Sequence, residues 1–367
     1  MKKAALITVH VGANFGSILQ TIATCEVLNR VGYEAIVVNY IPNRVTNTAV
    51  FKSEIIKGMS FKAFLRGCNH LIVDVINRII YNGYLKKYCT LTRAVYSNDD
   101  FGEWVSRNVK GRDVYITGSD QVWNSHYNEG VDTHYFWDGV KGNKIAYSSS
   151  IGASDISEEE KKRFYRYLTG YKAISVREIQ AKKILESINI SSTLVLDPTF
   201  MLKSYDWVRF CTKRLIKSPY ILAYIPYNIV DKNLIYRSIN RIAKEKGLKV
   251  VTFSWNWFRD KNADYTVRFT SPGDFLSLMI YADCVVTNSF HGTAFSVNLN
   301  KDFWVYMPSK FPSRIESILK LCKLEDRVLS EVITNEQMEQ HINYDQVNDI
   351  LDEERNKAYS FLRKSLS

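Results

Sequence analysis

Short β-branched runs, each followed by a polar loop and then by apolar residues at helical spacing, recur along this chain. Ala4 to Val9 is the first such run; His10 to Ser17 is its loop, Ile18 to Val31 its helix, and Gly32 the stop signal. Glu34 to Tyr40 supplies a second strand, so residues 1–40 predict a βαβ unit with parallel strands and a right-handed crossover. Strand patterns return at Asp113 to Thr117, Ile145 to Ser149, Ala173 to Val176 and Thr193 to Leu196, mostly separated by helical patterns, which implies a parallel sheet. Past Asp197-Pro198 a second series begins: strand Tyr220 to Ile225, helix Asp231 to Lys246, strand Lys249 to Phe253, helix Pro272 to Tyr281, strand Cys284 to Thr287, helix Gly292 to Asn298 and strand Phe303 to Tyr306.

Two such series in 367 residues exceed what one ordinary core encloses. The expected fold class is α/β, with two Rossmann-like, doubly wound domains at residues 1–200 and 201–343. A charged amphipathic helix, residues 344–367, is expected to strap across their junction. Residues 51–93 shift to an amphipathic helical pattern rich in lysine and arginine, with only Glu54 and Asp74 against them, and read as a helical insertion in the first domain. Its basic face suits either solvent or an anionic lipid surface. Leu71 to Tyr81, the most apolar stretch, is broken by Asp74 and Arg78 and is too short to span a bilayer. The amino terminus lacks a small-residue cleavage site and reads as a strand, not a signal peptide.

Composition refines this picture in two respects. Lysine and arginine total 49 against 38 acidic residues, an excess of 11 that suits an anionic partner without choosing among a phosphorylated substrate, a membrane and nucleic acid. The cysteines at 25, 68, 89, 211, 284 and 322 lie far apart with no Cys-x-x-Cys pair, which suggests neither a metal nor a disulfide framework and fits a reducing cytosol.

Ligands of open α/β sheets bind beyond the carboxyl ends of strands, so polar residues directly after predicted strands are the candidates. Thr287-Asn288-Ser289-Phe290-His291-Gly292-Thr293 opens a helix, where unpaired N–H groups favour phosphate or carboxylate. There Ser289, Gly292 and Thr293 would line the ligand, Gly292 would admit its close approach, and His291, kept neutral by the dipole, would exchange a proton. The alternative is a capping loop with a buried, hydrogen-bonded histidine. In Ser175-Val176-Arg177-Glu178, Arg177 offers a two-pronged contact to a carboxylate or phosphate, or else a salt bridge to Glu178 or Asp197. Gly118-Ser119-Asp120-Gln121-Val122-Trp123-Asn124 combines hydrogen-bonding Ser119, Asp120 and Gln121 with an indole for stacking on a sugar, against a turn with Trp123 in the core.

Weaker candidates are Asn14, Gly16 and Ser17 in the first loop, which matches neither a dinucleotide fingerprint nor a Walker loop. Arg314, at the start of the helix Ile315 to Cys322, is either a substrate contact or a solvent-facing residue of a capped first turn. His126 and His134 flank Glu129 and Asp132, but no ligand spacing supports a metal. Scattered basic residues without a recognised module speak against nucleic acid.

Jointly, these loops resemble one family. Asn14 to Gln20, Gly118 to Asn124, Ser175 to Glu178, Asp197 to Thr199 and Thr287 to Gly292 stand in the order and with the sequences found in the polysaccharide pyruvyl transferases, over roughly residues 4–320. The resemblance implies a glycosyltransferase-B-like pair of domains facing a cleft. It also implies phosphoenolpyruvate as donor and a pyruvate ketal on a hexose of a bacterial capsule or exopolysaccharide as product. By resemblance and position, His291 is expected to transfer the proton and Arg177 to hold the donor's carboxylate or phosphate. Phosphoenolpyruvate is then a co-substrate, and neither a cofactor nor a metal is expected. The expected acceptor is a lipid-linked oligosaccharide. The expected location is the cytoplasm, with peripheral contact at the inner face of the plasma membrane through the basic helices. Rival readings are a nucleotide-sugar glycosyltransferase of the same build and a non-catalytic assembly factor that binds glycan or membrane.

Overall fold

The structure is a computed structural model that describes residues 1–12, 14–46, 61–227, 231–309 and 312–367, the side chains of 61–67 excepted. The chain divides into two compact units, Met1–Met201 together with Lys357–Ser367, and Leu202–Asn356.

Unit 1 is built on a seven-stranded sheet in the order β3-β2-β1-β4-β5-β6-β7. The strands are β1 (Lys2–Ile7), β2 (Tyr33–Ile41), β3 (Thr90–Tyr96), β4 (Val114–Thr117), β5 (Lys144–Ser149), β6 (Ala173–Val176) and β7 (Thr193–Leu194). Every neighbouring pair is parallel. Helices α1 (Phe15–Arg30), α2 (Phe61–Tyr88), α3 (Phe101–Asn108), α4 (Glu158–Leu168), α5 (Ile179–Ser187) and α6 (Pro198–Met201) connect or follow them. All four residues of β4 are buried, the pattern expected of a strand covered on both faces. Local signals fix the helix starts. Asn14 caps α1 by accepting from the Ser17 amide, and Ser157 with Glu160 forms a capping box on α4.

Unit 2 carries a five-stranded parallel sheet in the order β10-β9-β8-β11-β12. Its strands are β8 (Tyr220–Tyr224), β9 (Lys249–Ser254), β10 (Tyr265–Arg268), β11 (Cys284–Thr287) and β12 (Asp302–Val305). Helices α7 (Lys232–Glu245), α8 (Pro272–Ile280), α9 (Phe290–Asn298) and α10 (Ser313–Cys322) alternate with them. The closing helix, α11 (Tyr344–Leu366), is shared: its residues up to Asn356 belong to unit 2 and those from Lys357 to unit 1. In each sheet the winding direction reverses once, between β1 and β4 and between β8 and β11; the loops at these two points carry the motifs Asn14–Gln20, Gly118–Asn124 and Thr287–Gly292, while Ser175–Glu178 and Asp197–Thr199 follow β6 and β7.

Two strands are absent from the sequence expectation. The helical insertion is expected to run to Arg93, but α2 ends at Tyr88 and Thr90–Tyr96 is the edge strand of the first sheet; residues 51–60 lie outside the described residues. Only Val95 of β3 is buried, so no apolar alternation announces it. β10, the edge of the second sheet, buries no residue at all. No helix among the described residues is long and apolar enough to cross a membrane.

Candidate functional site

The carboxyl ends of the first sheet are stitched by a buried polar network centred on Arg177. Its Nη1 lies 2.5 Å from Asp197 Oδ2, Nη2 3.2 Å from Asp120 Oδ1 and Nε 3.6 Å from Glu178 Oε2, and the side chain is 1% exposed. The acids are held in turn. Asp197 accepts from Ser119 Oγ and from the Thr199 amide and hydroxyl, and Asp120 accepts from Ser17 Oγ. Glu178 Oε1 accepts from Ser150 Oγ and the amides of Ile151 and Gly152 at 2.8–2.9 Å. Burial alone would lower the Arg177 pKa, but Asp197, Asp120 and Glu178 raise it, so the guanidinium stays charged.

This geometry corrects two expectations. Arg177 takes the salt-bridge alternative: its planar fork is spent on carboxylates of its own chain. Three carboxylates against one guanidinium leave a formal excess of two negative charges, a poor setting for a phosphate or carboxylate donor. Trp123 is 1% exposed, stacked on Phe136 at 5.5 Å and meeting Phe164 edge-on, so its indole belongs to the core and offers no face to a sugar. Ser17, Ser119 and Asp120 are drawn into the Arg177 network, Asp120 with a left-handed backbone at φ 65°. Gln121 accepts from the Asn124 amide, Asn14 serves as the α1 cap, and Gly16 lies buried in the first turn of α1.

His10, just past β1, is fully buried. Its Nδ1 donates to the Thr8 carbonyl (3.0 Å) and its Nε2 lies 3.3 Å from the Asn39 amide oxygen. Burial lowers its pKa below 6.5, so the unfolded chain binds the proton more readily than the native one. Stability contributed by neutral His10 is therefore full above about pH 6.5 and is lost as pH falls from there towards the native value. Thermal melts between pH 7.5 and 5 are expected to show a falling midpoint, and His10→Gln a shallower fall, at most about 1.4 kcal/mol per pH unit for one group. Equal slopes would assign the acid sensitivity elsewhere.

The second sheet places its motif at the β8–β11 reversal. Thr287 Oγ1 donates to the Tyr224 carbonyl and accepts from the Ser289 amide. Asn288 joins the two loops, accepting from the Tyr227 amide and donating to its carbonyl. Ser289 caps α9 by accepting from the Gly292 amide, and Thr293 Oγ1 donates back to the Ser289 carbonyl. A Cβ on Gly292 would sit 2.2 Å from Thr287 Oγ1 and 2.9 Å from a Tyr224 ring carbon. Glycine is thus demanded by helix–sheet packing, whereas the sequence suggests close approach of a ligand.

His291 occupies the second helical position, 3% exposed, with its ring edge-on to Phe290 at 5.1 Å. Arg314 stands in the first turn of α10. The residue is 5% exposed, its guanidinium lies 5.6 Å from the Phe290 ring centre, and its buried Nε has no hydrogen-bond partner. Unit 2 therefore brings a helix amino terminus, a histidine and a buried arginine whose Nε lacks a hydrogen-bond partner into contact with one phenylalanine.

With this geometry the sequence matches the family model described as polysaccharide pyruvyl transferase over residues 14–309, most of the chain. The chain belongs to the polysaccharide pyruvyl transferase family. Membership makes it a transferase of polysaccharide biosynthesis. No curated protein matches it. Among solved structures it is similar to UDP-GlcNAc 2-epimerase from Methanocaldococcus jannaschii, at 8% identity and a TM-score of 0.55 over 96% of this chain and 92% of that one. It is also similar to a putative UDP-N-acetylglucosamine 2-epimerase from Listeria monocytogenes, at 8% identity and a TM-score of 0.51 over 99% and 90%. At such identity the likeness is one of fold: two Rossmann-like domains of glycosyltransferase-B-like kind.

Sequence reasoning passed over Glu178 as an acceptor for the Ser150–Gly152 turn, although its place directly after Arg177 at a strand end was visible. It also set aside Asp132 and His134 with the rejected metal reading. They pair at 2.9 Å, and among the described residues there is no group of three or more His, Cys, Asp and Glu arranged to hold a metal ion.

Proposed function

We propose that the protein transfers the pyruvyl group of phosphoenolpyruvate to a hexose of a surface polysaccharide, closing a pyruvate ketal and releasing phosphate. The observation that carries this reading is that, within unit 2, His291 at the amino terminus of α9 and the buried Arg314, whose Nε lacks a hydrogen-bond partner, both lie against Phe290. Ketal formation needs a proton delivered to C3 of the enol and an anchor for a trianionic donor. His291 gives the proton to C3, and C2 becomes electron-poor. One sugar hydroxyl adds to C2, the C2–O bond to phosphate breaks, and a second hydroxyl closes the ring. Of the two hydroxyl protons released, one replaces that given to C3 and the other leaves with phosphate. The α9 amide groups and Arg314 hold the donor's oxyanions, and Ser289 and Thr293 keep that helix terminus in place. Arg177 acts as a positioning residue that fixes the loops of unit 1.

Incubation with phosphoenolpyruvate and a panel of lipid-linked sugars tests the reading: phosphate release matched by a gain of mass on one sugar is expected. A UDP-sugar that raises the melting temperature where phosphoenolpyruvate leaves it unchanged would sink it in favour of a glycosyltransferase. Arg314→Lys keeps the charge but loses the planar fork, so KM for phosphoenolpyruvate is expected to rise about tenfold with kcat little changed. Unaltered donor saturation would remove Arg314 from the donor site.

A further inference from the structure

Unit 1 holds a pocket of about 410 Å³, of ligand-binding size, beyond the carboxyl ends of β2 and β3. Tyr40 and Arg44 enter it from the end of β2, Ser97 from the end of β3, Asp132 and His134 from the connection between β4 and β5, and Arg163 from α4. None of these residues belongs to the Arg177 network.

The hydrogen bonds inside the pocket are unevenly satisfied. Asp132 is used up: it accepts from the Tyr40 hydroxyl at 2.7 Å, from the His134 amide at 3.2 Å and from His134 Nδ1 at 2.9 Å. That last bond sets the tautomer, leaving the lone pair of neutral His134 on Nε2. The residue is 8% exposed, its ring lies on Tyr40 at 4.3 Å and 13°, and its Nε2 has no hydrogen-bond partner. The guanidinium of Arg44 lies 4.6 Å over the Tyr127 ring with Nε and Nη1 buried; burial alone would lower its pKa, but the neighbouring Tyr135 and Tyr127 hydroxyls raise it, so it stays charged. Arg163 donates to the Val131 carbonyl at 3.1 Å from one nitrogen. The remaining acid of the lining, Glu129, is exposed. Buried polar atoms are normally paired, so an unmet imidazole nitrogen in a pocket also lined by two guanidinium groups marks a place for a ligand carrying both an oxyanion and hydroxyl groups.

We propose that this pocket binds a phosphorylated hexose, with the phosphate held by Arg44 and Arg163 and a sugar hydroxyl donating to His134 Nε2. Calling it the acceptor end of the reaction rests on the function proposed above; the binding itself does not. A free hexose lacks the oxyanion and inorganic phosphate lacks the hydroxyl and ring, so neither should fill the site alone.

Isothermal titration of the full chain, without phosphoenolpyruvate, with glucose 1-phosphate, glucose and inorganic phosphate tests this. The sugar phosphate is expected to bind about tenfold or more tightly than either part, a ratio worth about 1.4 kcal/mol. Arg44→Gln and Arg163→Gln should each weaken it about tenfold with melting temperatures unchanged, while Arg314→Gln leaves it intact. Binding no tighter than free glucose in the wild-type chain, a measurement that needs no variant, overturns the proposal. So does binding that Arg44→Gln and Arg163→Gln leave untouched, or that Arg314→Gln abolishes. Sugar-phosphate binding without any pyruvyl transfer would instead remove the proposed reaction and leave this site standing.

Discussion

Replacing His291 with alanine is expected to lower kcat for pyruvyl transfer by about a hundred- to ten-thousandfold, the usual contribution of a positioned acid–base group. The magnitude follows from where the ring sits. Its backbone is fixed by the Ser289 cap and the Thr293 hydroxyl, and Gly292 presses the helix onto Thr287 and Tyr224 so that the terminus has little freedom to shift. Removing the imidazole takes away the proton donor without disturbing the anion anchor, so KM for phosphoenolpyruvate should change much less than kcat. Because the residue is 3% exposed, a melting curve must accompany the kinetics, and His291→Gln supplies a variant that fills more of the space. Two further readouts separate proton transfer from packing. Added imidazole should restore part of the alanine variant's turnover, and wild-type reaction in heavy water should place deuterium on the new methyl group. Turnover near the wild-type value in a folded alanine variant would remove His291 from the mechanism.

What the sequence shows and what it hides divides along a physical line. Strands β1, β4, β8 and β11 flank the reversals of winding, are largely or wholly buried, and therefore read as continuous apolar runs. The loops after them stand out because polar residues follow such runs abruptly, so the motif loops are legible as strand-end loops from the sequence. Edge strands carry no such signal: Thr90–Tyr96 buries one residue and Tyr265–Arg268 none, so the first merges with the preceding helix and the second with loop. Roles within the loops depend on partners brought from afar. Arg177 meets Asp120 from 57 positions away, and Trp123 is covered by Phe136 and Phe164, relations that no local pattern contains. Gly292 is likewise explained by the side chains of Thr287 and Tyr224, which only the packing of α9 on the sheet brings close.

Arg177 gives the second large effect, on stability. Arg177→Met leaves Asp120, Asp197 and Glu178 buried without their cation, and removing one member of such a group is strongly destabilising, by about 3–5 kcal/mol. For a unit of this size that corresponds to a melting temperature lower by roughly 10 °C. The sign of the accompanying pH effect is fixed. Buried carboxylates that lose their counter-charge have native pKa values raised above the unfolded ones, so the native state binds more protons. Its deficit should then be largest at neutral pH and shrink as pH falls towards 5. Asp197→Asn added to Arg177→Met should recover part of the loss, since it removes one of the stranded charges while keeping an acceptor for the Thr199 amide and hydroxyl. Arg177→Lys, which preserves the charge but not the fork, should fall between wild type and Arg177→Met. If Arg177 instead gripped the donor, the lysine variant would melt like wild type while KM for phosphoenolpyruvate rose. That pattern would return Arg177 to the substrate site, and with it the excess of acids around it would need a different account.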